Sequence, residues 1–99
     1  MTDERDIEAR LGRVVQERGG LCLKLDSSMK KGIQDRLVLL PGARVWFVEL
    51  KRPTGGRVSV LQKVWKVRVE RMGFPACVIR NETELDSLIE TWDNEDKKE

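Results

Sequence analysis

The chain has 99 residues, of which 36% are charged and 39% hydrophobic, with a formal net charge of +2 and no histidine. That length suits one domain with an adequate but not large core, and the lack of histidine excludes histidine general-base catalysis, Ser-His triads and most zinc centres. No run of eighteen apolar residues and no secretory leader pattern occurs, so the expectation is a cytoplasmic protein with no membrane association.

Ile7, Leu11, Val14 and Val15 recur at helical period and predict a helix over residues 2–18, with Thr2 as N-cap and Gly19-Gly20 as its stop. Glu8 lies beside that apolar stripe. It is either one of several helix-surface acids or a carboxylate leaning over whatever the helix covers. Residues 21–25 alternate Leu, Cys, Leu, Lys, Leu as a short strand. A polar loop containing Lys30 and Lys31 follows. Cys22 and Cys77 each sit in an apolar run without metal-ligand spacing, and read as buried reduced thiols.

Residues 32–51 organise the chain. Asp35 opens an apolar arm continued by Leu37 to Leu40, Pro41-Gly42-Ala43 form the turn, and Val45 to Leu50 return. Pro fixes φ and Gly permits positive φ, which gives this turn a mechanism. Antiparallel pairing about it brings Asp35 near the level of Glu49 and Lys51. Those two are two residues apart and share one face of the strand, while Leu50 points to the other. Val45-Trp46-Phe47-Val48 is apolar on both faces, as in a central strand. A central strand ending in Glu-x-Lys places charge where burial is costly, so the pattern calls for a reason beyond a solvated alternating strand. A divalent cation with a lysine alongside relieves two facing carboxylates.

A loop carrying Arg52 and Arg57 leads to a second helix over residues 60–72. Ser59 is its N-cap and Gln62 its N3 residue, a capping-box pattern, and Leu61, Val64, Trp65, Arg68 and Met72 share a face. A strand over residues 76–79 follows, then a helix over residues 82–92 capped by Asn81, with Leu85, Leu88, Ile89 and Trp92 as its stripe. Residues 1–92 read as a single domain, and 93–99 as an acidic disordered tail. Charge is uneven. Residues 29–71 hold eleven Lys/Arg against three Asp/Glu, a surplus of eight, whereas residues 81–99 hold eight acids against two lysines. A basic middle around a carboxylate cluster suits a polyanionic substrate, with Lys30, Lys31, Arg52 and Arg57 flanking the site.

The predicted order is α-β-β-β-α-β-α: an α/β protein with a small mixed sheet of about four strands flanked by helices. The strand-helix-strand piece closes a parallel crossover.

A helix with Glu8, then Gly-Gly, a loop ending Gly-Ile-Gln-Asp-Arg-Leu, then Phe-Val-Glu-Leu-Lys-Arg-Pro and Ser-x-x-Gln on a helix resembles the virus-type replication-repair nuclease family (VRR-NUC). Its wider group is the restriction-endonuclease-like superfamily, with the signature Pro-Asp, spacer, Asp/Glu-x-Lys; here Gln34 stands where the proline usually does. The resemblance implies a restriction-endonuclease-like core and a Mg²⁺-dependent DNA endonuclease in which Mn²⁺ substitutes. It assigns Asp35, Glu49 and the backbone carbonyl of Leu50 to the metal. Lys51 is implied to orient or deprotonate the attacking water. Glu8 supports the site, if it touches the metal then through water, and Gln62 either reaches the site or only caps its helix. Standalone members of the family look like Holliday-junction resolvases, which implies a homodimer acting on branched DNA in a bacterial or phage-infected host cell. Exposed surface around Trp65 or Trp92 would serve the dimer, although either tryptophan could equally be core. Two other classes stand beside this reading: a catalytically inactive nuclease-fold module that binds nucleic acid, and a phage interaction or inhibitor protein.

Overall fold

The computed structural model describes residues 4–25, 35–51 and 59–97. They form α1 (Glu4–Glu17), β1 (Leu21–Lys24), β2 (Arg36–Leu40), β3 (Arg44–Leu50), α2 (Val60–Arg71), β4 (Ala76–Ile79) and α3 (Glu82–Lys97). The sheet has four strands in the order β1-β2-β3-β4. The first two pairings are antiparallel and β3–β4 is parallel, so the sheet is mixed, as expected. Among the described residues no helix is long and apolar enough to cross a membrane.

Each element begins and ends for a local reason. Gly19 takes φ 79° where the chain leaves α1, and Gly20 donates to the Val15 carbonyl at 2.9 Å. A Cβ on Gly20 would stand 2.3 Å from the Leu39 carbonyl oxygen, so only glycine lets this turn lie against β2. The hairpin turn uses positive φ at Gly42 (85°) and also at Ala43 (59°). That makes its register definite: Leu40 faces Arg44 and Arg36 faces Val48. β3 lies between β2 and β4, the central position that its apolar run predicts.

One face of the sheet is sealed. Ile7, Leu11, Val14 and Val15 of α1 pack with Leu85, Leu88 and Trp92 of α3 over Val38, Leu40, Val48, Leu50 and Ile79. Trp92 is fully buried and meets Trp46 edge-on at 6.3 Å, so of the two interface tryptophans considered from sequence, this one is core. Burying rings and branched aliphatics of this size contributes roughly 1.5–3 kcal/mol per side chain.

Two expectations are corrected. Residues 93–97 are not a disordered tail: α3 continues to Lys97. Arg18 donates from Nε and Nη2 to both oxygens of Asp93 at 2.8 and 2.9 Å, and Arg44 lies 3.3 Å from Glu95. Charged residues that cannot enter a core are held here by arginines just past α1 and on the hairpin. The second correction concerns α2, which turns a different face inward from the one predicted. Val69 is its buried residue, while Leu61, Val64 and Met72 are about half exposed or more. Trp65 is half-buried and carries the Arg68 guanidinium 4.6 Å from its ring centre. Apolar residues occur on nearly every side of α2, so its own sequence does not select one stripe; contact with β4 does.

Candidate active site

The β2–β3 ladder carries Asp35 to the level of Glu49. The Asp35 N–H donates to Glu49 Oε1 at 3.1 Å, and the Leu50 N–H donates to Asp35 Oδ1 at 3.2 Å. Each carboxylate therefore accepts from the backbone of the segment that bears the other. Lys51 Nζ stands 3.5 Å from Glu49 Oε2. Asp35, Glu49 and Lys51 thus come together at the C-terminal end of the central strand, beside the parallel neighbour β4. That is the end of an open α/β sheet at which ligands commonly bind. Glu49 alternates with the buried Val48 and Leu50, so it projects from the sheet face opposite α1.

Electrostatics at this pair are unfavourable even with Arg36 and Lys51 close by. Burial pushes the Asp35 carboxyl above its ordinary range, against the opposing pull of Arg36 and of the Leu50 N–H. Burial also pushes up Glu49, and the Asp35 charge pushes it further, with Lys51 offsetting part. Glu49 has only 6% of its side chain exposed. A carboxylate so placed is costly unless positive charge is near.

Glu8 reaches the same end of the sheet from α1 and does not join the pair. Its Oε2 accepts from Arg36 Nη2. Arg36 belongs to the alternating buried set Arg36, Val38 and Leu40 on the α1 side. Its Nη1 donates to the Asp35 carbonyl at 3.1 Å and lies 3.5 Å from Asp35 Oδ2. Sequence reasoning missed Arg36. The available signal was its place two and four residues before Val38 and Leu40, which puts it on the core face, where a cation needs a partner. Gln62 is engaged at the start of α2: its Oε1 accepts from the Ser59 N–H at 3.0 Å, while its own N–H donates to Ser59 Oγ at 3.1 Å. Lys30, Lys31, Arg52 and Arg57, expected to flank the site, lie outside the described residues.

Among the described residues no three Asp, Glu, Cys or His side chains stand close enough to share a metal ion. The donors that do converge are the carboxylate oxygens of Asp35 and Glu49. This set fits a hard divalent cation such as Mg²⁺, which binds through one or two carboxylates and retains water. It does not fit zinc or copper, which prefer nitrogen and sulfur.

No family profile matches the sequence. A curated relative, named "Putative nuclease p44", of Acyrthosiphon pisum secondary endosymbiont phage 1, is 33% identical over 86 residues, covering 87% of this chain and 90% of the relative. A solved structure described as "VRR_NUC domain" superposes with a TM-score of 0.80 at 29% identity, covering 88% of this chain and 94% of that one. Sheet order, the paired carboxylates with their lysine and these likenesses agree: the chain belongs to the virus-type replication-repair nuclease family, with its restriction-endonuclease-like fold.

Proposed function

We propose that this nuclease-family protein is a Mg²⁺- or Mn²⁺-dependent endonuclease that hydrolyses phosphodiester bonds in DNA, with branched DNA as its preferred substrate. The observation that carries the reading is the reciprocal hydrogen bonding of Asp35 and Glu49 with Lys51 alongside. Asp35 and Glu49 would hold the cation, and the Leu50 carbonyl is a third oxygen on the same strand end. When bound, the cation supplies positive charge where the phosphorus centre gains negative charge. Lys51, tethered by Glu49, would orient water toward the phosphate and offset its charge. The basic surplus of residues 29–71 supports a polyanionic substrate.

Branched substrates cut in both strands need two sites, and a two-fold dimer supplies them. The surface that supports a dimer is the outward face of α2. Val60, Val64 and Val67 are 75%, 47% and 46% exposed. Their spacing of four and then three is the seam spacing of two packed helices. Trp65 and Trp92 are not needed for it.

The test is a panel of labelled four-way, flap, fork and linear DNAs with Mg²⁺, Mn²⁺ or chelator. Metal-dependent cutting that favours four-way junctions is expected, and Lys51→Ala should keep metal binding and lose cleavage. Binding without cutting would leave an inactive nucleic-acid module. Neither binding nor cutting would favour a protein-interaction role. Undiminished cutting by Lys51→Ala would remove that lysine from the mechanism.

A further inference from the structure

Arg36 is the group at this site that the ligand reading leaves without a task. Only 6% of its side chain is exposed, against 49% for Glu8 and 28% for Asp35. The guanidinium is thus a buried cation in contact with Asp35 and Glu8. Its attachments are unequal. Nη2 is hydrogen-bonded to Glu8 and Nη1 to the Asp35 carbonyl, whereas the approach to the Asp35 carboxylate, at 3.5 Å from Oδ2, is a longer ion pair. Asp35 Oδ1 is taken by the Leu50 N–H. Oδ2 is therefore the oxygen for which the guanidinium and an added cation compete.

We infer that Glu8 governs the site through Arg36: it holds the guanidinium off Asp35 and keeps that carboxylate available to a cation. Glu8 is then a positioning residue carried by α1, and not a metal ligand, even through water. Removing its charge frees Arg36 to close on Asp35 Oδ2, turning the 3.5 Å ion pair into a short charge-assisted hydrogen bond. A divalent cation then has to displace it. The arrangement also ties α1 to the metal end of the sheet, since one fixed fork touches a helix residue and a strand-end residue together.

This rests on the reading of Asp35 and Glu49 as cation ligands, and the test separates the two. Mn²⁺ dissociation constants are measured by calorimetry and by metal-dependent melting for wild type, Glu8→Gln, Arg36→Met and the double variant, each referenced to its own melt in chelator. Glu8→Gln alone should weaken Mn²⁺ about tenfold, the usual lower scale for residues that support metal ligands. Arg36→Met should bind at least as tightly as wild type, and the double variant should match Arg36→Met. Glu8 is half exposed, so water can solvate it once Arg36 is gone; if Arg36→Met fails to fold, Arg36→Gln makes the same comparison. An equal loss from Glu8→Gln in both backgrounds would make Glu8 a ligand and overturn the inference. So would no loss in either. Wild type that ignores Mn²⁺ would overturn the cation reading itself, and this inference with it.

Discussion

Asp35 and Glu49, fourteen residues apart in the chain, are cross-linked through the backbone: Asp35 N–H bonds to Glu49 Oε1, and the N–H of Leu50, next to Glu49, bonds to Asp35 Oδ1. These bonds hold two partly desolvated carboxylates side by side with Lys51 and Arg36 as the nearby cations. The pair is positioned by β2–β3 pairing. Two carboxyls held together in this way have measurable consequences.

Replacing Asp35 with Asn keeps an oxygen for the Leu50 N–H and removes one of the two facing charges. In chelator, Asp35→Asn should melt at or above the wild type, by up to about 1 kcal/mol. Saturating Mn²⁺ should stabilise wild type by about 1–3 kcal/mol through mass action, and the variant should lose most of that gain. Four melting curves decide it. A variant that melts lower in chelator and responds to Mn²⁺ like wild type would reduce Asp35 to a turn residue.

The pH dependence follows from the same pair. Both carboxyls are raised in the folded state, Asp35 by burial and Glu49 by burial and then by Asp35. Between the unfolded values, about 4, and the raised folded values, the native state binds more protons than the unfolded one. Stability therefore falls as pH rises through that window, and the charge penalty is relieved as pH drops through it. Asp93 acts oppositely, its carboxyl lowered chiefly by its hydrogen bonds from Arg18; it is exposed enough for salt to weaken its contribution. Melting temperatures in chelator from pH 4 to 7 should rise toward acid relative to an Asp35→Asn/Glu49→Gln variant. Parallel profiles would mean that neither carboxyl is raised.

Gln62 separates capping from chemistry. Loss of its bond to the Ser59 N–H in Gln62→Ala should cost about 0.5–1 kcal/mol, whereas Gln62→Glu preserves the capping box. A pure cap gives cleavage that tracks the folded fraction in both variants. Cleavage lost in Gln62→Glu, with the melting temperature unchanged, would give the side chain a role at the site.

The outward stripe of α2 makes a separate claim. Val64→Glu places a charge mid-stripe, and should yield a monomer by light scattering with a chelator melting temperature, at equal protein concentration, no higher than that of wild type. Cleavage of four-way junctions should change from paired to single-strand cuts. A wild type that is already monomeric would leave α2 without that partner.

Local chemistry determined much of this protein in the sequence alone. Gly19-Gly20, Pro41-Gly42, Ser59 with Gln62, and Asn81 are punctuation that acts within a few residues, so the order of seven elements could be read directly. The hairpin also made Asp35, Glu49 and Lys51 legible as one group, because a tight turn sets register and strand alternation sets facing. Three things were decided only by tertiary structure. Arg36 gained its meaning when α1 brought Glu8 against it, a contact spanning 28 residues that no spacing rule encodes. The inward face of α2 was chosen by β4, because valines on several sides left the helix without a preferred stripe of its own. Residues 93–97 became helix because Arg18 and Arg44 waited on other elements to receive Asp93 and Glu95. Acidic composition forbids burial, but it does not forbid order when cations distant in the chain are brought into reach.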